Sequence, residues 1–492
     1  GDAGDTCVPE TDREFCHRHG YECDELTALD NCGVERQNVN CGDEEIICDQ
    51  HETCGGGGTQ GECGCTKTTC KAEGVLCGEI DDTCGGRLTC NTFCADQMGS
   101  RGSHVCAVGS GNMKCWGKGR AGQLGNGKSR NQKNPVDVEG INNDIIGVGP
   151  GISHTCAVTN AGQVYCWGNN THSQLGLGTT VSSNKPGNPA VVQGATQVVS
   201  GASHSCALVN GGVECWGDNN NGQLGDPQYQ LTADVGLPNP VPDLTKDVEE
   251  LAAGRNHTCA RMKSGKVKCW GLNDAGQLGA GLPTVTVKDN LYYGFFKNAN
   301  QEIEVQPVTV QAPSGSGDLS NVTQLSAGRW HTCALTANEE LYCWGSIAEA
   351  NCPERGIESC SIVVSSKDTK AVVIWKTGRN KKKRIAKTLF DSTLVKPTRI
   401  DPAKPVKTVE SGANHACMIV AESDMAKTNV YCLGANASGQ IGDGTTNVWD
   451  TPQPLALDVN NKVVRAIELA TGTKHSCALA SNNNIKCWGS NS

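Results

Sequence analysis

Two residue types recur in this chain at a spacing that invites chemistry. His104, His154, His204, His257, His331, His415 and His475 each stand two residues before a cysteine, and each of those cysteines has a second one nine to fifteen residues on. The pairs are Cys106 and Cys115, Cys156 and Cys166, Cys206 and Cys215, Cys259 and Cys269, Cys333 and Cys343, Cys417 and Cys432, Cys477 and Cys487. A ring of imidazoles and thiolates could hold metal, and a histidine beside a cysteine could serve as a base. Structural zinc, however, takes close C-x2-C pairs, and no such pair occurs in the chain. A catalytic constellation is a single arrangement of different residues, whereas these histidines return once per unit behind Ser, Asn, Trp or Lys. They read as structural groups hydrogen-bonded to backbone, with no catalytic residue, metal or cofactor assigned. The thirty cysteines would be oxidisable thiols in a reducing compartment. Disulfides are therefore expected, and with them a secreted or cell-surface location.

The elements that must position these residues are hairpins. His154 to Val158 and Gln163 to Gly168 flank a turn at Asn160-Ala161-Gly162, which reads as two antiparallel strands. Cysteines facing each other at a non-hydrogen-bonded pair come within bridging distance. Each hairpin can close its own bond. With 61 glycines and only 4% aromatic residues, the composition suits many short strands better than long helices, so the fold class is all-β.

After the second cysteine comes Trp-Gly, then usually Gly-Gln-Leu-Gly, as at Gly122 to Gly125, Gly222 to Gly225 and Gly276 to Gly279, with Ser173 to Gly176 and Gly439 to Gly442 as variants. The combination resembles the regulator of chromosome condensation repeat family. The resemblance implies a seven-bladed β-propeller, here of a secreted, disulfide-stapled type. Trp116, Trp167, Trp216, Trp270, Trp344 and Trp488 then read as packing between blades. Leu433 replaces the tryptophan in the sixth repeat, and the fifth lacks Gly-Gln-Leu-Gly. Nothing resembling a linking strand precedes Ser103, so the ring closes imperfectly or the chain continues beyond Ser492. A signal peptide is expected to have been removed before Gly1.

The expected domains are a cysteine-rich one at 1–98, a linker at 99–102 and the propeller at 103–492, with insertions at about 281–320 and 346–408. The front domain holds fourteen cysteines between Cys7 and Cys94, a density used by small scaffolds whose core is too small to hold itself together. It is similar to cysteine-rich modules of myxobacterial surface proteins, which implies a bacterial source. Spacing alone leaves its connectivity open.

Loops are where binding is expected, because they sit on a rigid scaffold. The first insertion gathers Tyr292, Tyr293, Phe295 and Phe296, able to anchor a partner or to pack back on the propeller. The second holds an expected bond, Cys352 to Cys360, and an expected hairpin of Val372 to Trp375 with Arg384 to Ala386. Its tip carries Lys376, Arg379, Lys381, Lys382, Lys383 and Arg384, a binding patch or a solvated face. Asp218 to Gly222 and Gly442 to Thr445 offer oxygen ligands for calcium, without the spacing of an EF-hand. Asn169, Asn256, Asn321 and Asn436 begin N-x-S/T sequons.

Residues 1–98 hold 21 acidic against 6 basic side chains, and residues 346–408 hold 14 basic against 6 acidic. These opposite charges suggest a non-enzymatic binding or assembly protein, a subunit of a surface layer or filament built by head-to-tail contact. An inhibitor or receptor for another secreted protein is the alternative, since the repeats also resemble a propeller-type inhibitor of β-lactamase. A carbohydrate-active enzyme would need a one-off cluster of acids that the sequence does not reveal. A protein partner or self-association is expected, without nucleic acid, and no apolar run is long enough to span a membrane.

Overall fold

Alternating apolar strands of about six residues, each too small to bury its own face, pack side by side into seven antiparallel sheets in this computed structural model. The structure describes residues 93–490 apart from 142–143, 191, 229–233, 274, 281–303, 315, 348–358, 365–370, 377–397, 401–403, 425–426, 456–464 and 481–483. Within the second insertion and before residue 93 it gives only the backbone of short strands. The chain divides into two compact units, Gly1–Cys94 and Ala95–Ser492. Among the described residues, the first contains three short strand pairs, of which Glu25–Leu29 with Glu35–Asn40 is the longest.

The second unit is an all-β seven-bladed propeller. Blade 1 comprises Gln97–Ser100, His104–Gly109, Asn112–Gly117 and Gln132–Asp137; blade 2 comprises Ile145–Pro150, His154–Thr159 and Val164–Gly168. Blade 3 is Ala195–Ser200, His204–Val209, Gly212–Gly217 and Val235–Pro240, and blade 4 is Val248–Ala253, His257–Met262, Val267–Gly271 and Glu304–Thr309. Blade 5 is Val322–Ala327, His331–Thr336, Leu341–Gly345 and Thr398–Ile400, and blade 6 is Val406–Ser411, His415–Val420, Val430–Gly434 and Trp449–Pro454. Blade 7 is Ala466–Thr471, His475–Ala480 and Ile485–Gly489. The first strand of each blade lies innermost and touches the first strands of both neighbours, blade 7 against blade 1 included.

This corrects the reading of the N-terminal boundary. Gln97–Ser100, taken as the end of the front domain and its linker, is the inner strand of blade 1 and pairs with the His104 strand from Gln97 opposite Val108 to Ser100 opposite Val105. The inner ring therefore closes. Thr473 N–H donates to Gly102 C=O at 2.8 Å, as Ala202 N–H donates to Arg255 C=O at 2.9 Å between blades 3 and 4. The short strand escaped notice because its four residues carry none of the Cys, Trp or Gly-Gln-Leu-Gly markers.

All seven repeat disulfides form as the spacing predicts. Each joins directly opposed residues of the second and third strands, with Cα atoms 4.0–4.1 Å apart, the approach of a non-hydrogen-bonded pair. Trp167, Trp216, Trp270, Trp344 and Trp488 also sit as expected, whereas Trp116 is half-buried and in no core cluster. Trp167 of blade 2 packs among Cys106, Val108, Met113 and Leu124 of blade 1. In the second insertion Ala371–Lys376 is a strand, but its partner is Ser359–Val364 on its N-terminal side. Arg384 to Ala386, proposed for that role, lies outside the described residues. So do the proposed bond from Cys352, the aromatic cluster Tyr292, Tyr293, Phe295 and Phe296, and Arg379, Lys381, Lys382, Lys383 and Arg384; Lys376 is described by backbone alone.

Because register already holds each cysteine pair together, replacing both Cys206 and Cys215 by Ala is expected to leave the propeller folded. Its unfolding free energy should fall by at most about 3 kcal/mol through the disulfide itself, measured by urea denaturation.

Candidate functional site

The repeated histidines face the seams between blades, and their partners identify their role. His104 Nε2 lies 2.8 Å from Thr155 Oγ1, His154 Nε2 2.9 Å from Ser205 Oγ, and His204 Nε2 3.0 Å from Thr258 Oγ1. His257 meets Thr332 at 2.9 Å and His415 meets Ser476 at 2.8 Å. In each case the hydroxyl belongs to the next blade. That hydroxyl already donates its proton to the backbone carbonyl of the Gln in Gly-Gln-Leu-Gly, as Thr155 does to Gln123 at 2.8 Å and Thr258 to Gln223 at 3.1 Å. A hydroxyl has one proton to give, so His Nε2 must be the donor to it.

The same Gln carbonyl accepts the indole N–H of the next blade: Trp167 to Gln123 at 3.0 Å, Trp216 to Gln174 at 2.9 Å, Trp270 to Gln223 at 2.9 Å and Trp344 to Gln277 at 2.8 Å. The glycine that ends the motif makes room for that ring. A Cβ on Gly225 would come within 2.8 Å of Trp270 Nε1. The expectation of a histidine bound to backbone is thus corrected: imidazole, hydroxyl, carbonyl and indole form one bridge across five of the seven seams.

The two departures seen in the sequence are halves of one seam. Blade 5 lacks the Gln carbonyl, and blade 6 has Leu433 in place of the indole and Ala416 in place of the hydroxyl. Apolar packing takes over, with Leu433, Ala416 and Ile347 in one buried cluster. At the closing seam blade 1 offers Val105 instead of a hydroxyl, and His475 Nε2 turns to Ser100 Oγ at 2.9 Å.

A second set of bonds joins the inner strands. A bulge near the start of each inner strand from blade 2 onward shifts its register, and such a bulge re-aims the following side chain. Gln197 thereby reaches blade 4, accepting from Leu251 N–H at 2.8 Å and donating to Leu251 C=O at 3.1 Å. Gln324 holds Val409 of blade 6 in the same two-handed way, at 3.1 and 3.2 Å. Glu250 and Glu468 occupy the corresponding positions and hold the facing residue by its N–H alone, that of Leu325 and that of Met98.

Arg101 breaks the repeat. Counted back from the histidine, its position is glycine in the other six blades, at Gly151, Gly201, Gly254, Gly328, Gly412 and Gly472, where a Cβ would overlap the blade's own His ring. Blade 1 carries its glycine one place later. The Arg101 guanidinium crosses the channel to the carbonyls of Ala253 and Ala327, the latter at 2.8 Å, on blades 4 and 5. Burial draws its pKa down to about 10, opposed by Glu410, so it remains charged at neutral pH. Glu410 is pushed up to about 8 by burial and by the like charge of Glu468, with a bond from Ser326 Oγ and Arg101 opposing. Glu468 rises to about 7, chiefly through burial. Arg101, the Gln/Glu clamps and Glu410 were all missed in the sequence. Aligning the seven units backwards from the histidine would have exposed them.

Of the two loops read for calcium, the Gly442 to Thr445 loop has its carboxylate occupied. Asp443 accepts from Thr445 Oγ1 at 2.7 Å, Trp449 Nε1 at 2.6 Å and Asn436 Nδ2 at 3.0 Å. Burial opposes ionisation there, but these bonds outweigh it and hold the carboxyl below its ordinary value. Asn436 is fully buried in that network, so its sequon is closed to glycosylation. At the Asp218 loop, His172, Asp218 and Asp234 bring ligand atoms within 4.8 Å of one another; Asp218 Oδ1 already accepts from the Asn220 amide at 3.0 Å.

Residues 110–158, 161–208 and 210–261 match the Regulator of chromosome condensation (RCC1) repeat, and a second form of that repeat matches 146–174, 195–223, 248–277, 322–346 and 466–492. The Ultraviolet-B receptor UVR8 of Arabidopsis thaliana is 30% identical over 51% of this chain and 52% of its own, so the chain spans about half of that relative. The human Regulator of chromosome condensation is 24% identical over 74% of this chain and 89% of its own. The crystal structure of Prp20p from Saccharomyces cerevisiae superposes with a TM-score of 0.55 at 20% identity, over 79% of this chain and 83% of that one, a likeness of fold.

Replacing Thr258 by Val is expected to destabilise the protein by about 1–3 kcal/mol, because the Gln223 carbonyl and His204 lose a buried partner while shape is kept; urea unfolding measures it. A pH optimum also follows. Desolvation lowers His104, His154, His204, His331 and His415 from 6.5 to about 3, His475 to about 4, and His257 well below its ordinary value. Their contribution is present above pH 6.5 and lost as pH falls. Glu410 and Glu468 are raised, so theirs is present below about pH 4.5 and lost as pH rises towards 8. Glu250 and Glu214 are raised as well, through burial; the seven histidines outweigh these four carboxyls, so calorimetry should show the melting temperature climbing to about pH 6.5 and declining gently above it.

Proposed function

We propose that this chain, built of RCC1-type repeats, works outside the cell as a non-enzymatic binding and assembly component, with its partner surface on one face of blades 4 and 5. One observation carries the reading. Both long insertions interrupt the same connection, from the third strand to the outer one, in adjacent blades: between Val267–Gly271 and Glu304–Thr309, and between Leu341–Gly345 and Thr398–Ile400. In an antiparallel blade that connection shares a face with the turn from the first strand to the second. There blades 4 and 5 also present Arg255, Arg329 and Trp330, with the Arg329 guanidinium 5.1 Å from the centre of the Trp330 ring.

The connections whose sequence contains Tyr292, Tyr293, Phe295 and Phe296 and the basic run from Lys376 to Arg384 thus start and end at equivalent strand ends of adjacent blades, while the repeated polar groups are spent on the seams. A disulfide in every blade, buried in blades 1 to 6, supports an oxidising location. Similar proteins support binding as the use of the fold: UVR8 is a receptor, and Prp20p has binding properties to Gsp1p and histones. Opposite charge on residues 1–98 and 346–408 favours the front domain of one molecule meeting the basic insertion of another. Light scattering on the native protein is expected to show large particles that shrink at high salt; a monomer at both salt concentrations would remove self-assembly and leave a soluble partner of the aromatic loop.

A further inference from the structure

The four clamps between inner strands are alike in position and unlike in chemistry. Gln197 and Gln324 each engage both backbone groups of the facing residue. A carboxylate can accept but not donate, so Glu250 and Glu468 cannot do the same while ionised. Glu250 has another use for its second oxygen: Oε2 accepts from Arg261 Nε at 2.8 Å, and Arg261 is the residue directly across the strand pair. The residue across from Glu468 is Leu479. Glu468 Oε2 is buried with no hydrogen-bond partner.

The charged groups around Glu468 are of one sign. Asp96 precedes the inner strand of blade 1, and Glu410 lies on the inner strand of blade 6; both act as like charges. The second strand of blade 7 offers Leu479, and the cation of the channel, Arg101, is committed to blades 4 and 5 and to Glu410. Met98, whose N–H donates to Glu468 Oε1 at 3.0 Å, carries its carbonyl on the same strand edge, as Leu251 and Val409 do in their clamps.

We infer that Glu468 is a proton-operated latch on the seam between blades 7 and 1. Protonated, it accepts from Met98 N–H and donates its own O–H to Met98 C=O, reproducing the two-handed hold of Gln197. When the proton leaves to solvent, the second oxygen turns into an acceptor facing an acceptor, beside Asp96 and Glu410, and the hold is reduced to one bond. The seam is the place where the two ends of the ring, some 370 residues apart in sequence, meet without a covalent link. It is tight in mildly acidic surroundings and loosens as pH rises through neutrality.

The test pairs E468Q with amide hydrogen exchange on the full chain. The melting temperatures of E468Q and wild type should coincide at pH 5, and at pH 8.5 E468Q should melt higher by about 2 °C or more. In the wild type, the protection factor of the Met98 amide should fall roughly tenfold or more between pH 6 and pH 8.5 relative to that of Leu325, whose clamp Glu250 is held by Arg261. This second measurement needs no variant. An offset between E468Q and wild type that is the same at both pH values, or Met98 and Leu325 amides that keep the same relative protection, would overturn the latch.

Discussion

The propeller depends on one shared acceptor: a backbone carbonyl, that of the Gln in Gly-Gln-Leu-Gly, bonded at once by an indole and a hydroxyl of the next blade. Buried polar groups are costly unless paired, so the tryptophan and the hydroxyl are committed to their place only when the neighbouring loop is in position. The loop shapes itself for this, since the Gln side chain accepts from an amide two residues earlier, as from Ala121 at 2.9 Å. Asn170, Asn219, Asn273 and Asn436 accept at 2.9–3.1 Å from the N–H of Leu175, Leu224, Leu278 and Ile441, the residue after the Gln in each motif. A blade is therefore incomplete without its neighbours. This is the near-neighbour dependence of repeat proteins, expressed here in hydrogen bonds as well as in apolar contact.

At one seam the bridge is reduced to its imidazole: His331 stays buried, with no hydroxyl to meet on blade 6. The seam between blades 5 and 6 gives up carbonyl, indole and hydroxyl together and fills the space with Ile347, Leu433 and Ala416. Removing both members of a buried polar pair costs little, whereas removing one leaves the other stranded. The closing seam keeps its histidine bond with a different acceptor, Ser100 Oγ, which donates to His104 C=O and stands in for the absent hydroxyl of the second strand.

The channel is the part of the molecule in which repetition fails. Six glycines and one arginine share a position, and the arginine ties blade 1 to the two blades opposite it. Burial keeps the histidines neutral, with the charge of Arg101 adding to that effect at His154, His204, His257 and His331 and opposing the rise of Glu410. The repeated network holds the frame together, and the non-repeated Arg101 adds a tie across it that, among the described residues, no other blade provides.

Much of the fold was legible from the chain alone, because its determinants are local. A hairpin fixes which cysteine faces which, a Trp-Gly and a Gly-Gln-Leu-Gly mark each blade, and seven such units leave few architectures. What the sequence could not determine depends on which strands come to lie side by side. Gln97–Ser100 has no marker of its own and becomes a strand only because His104–Gly109 and the inner strand of blade 7 flank it. Arg101 is an ordinary arginine until the ring brings Ala253 and Ala327 across from it. Glu250 and Glu468 are the same residue at the same place in the repeat, and they differ only in what faces them, Arg261 in one case and Leu479 in the other. Local pattern specifies the blade, whereas the state of a buried charge is set by neighbours that the closed ring alone assembles.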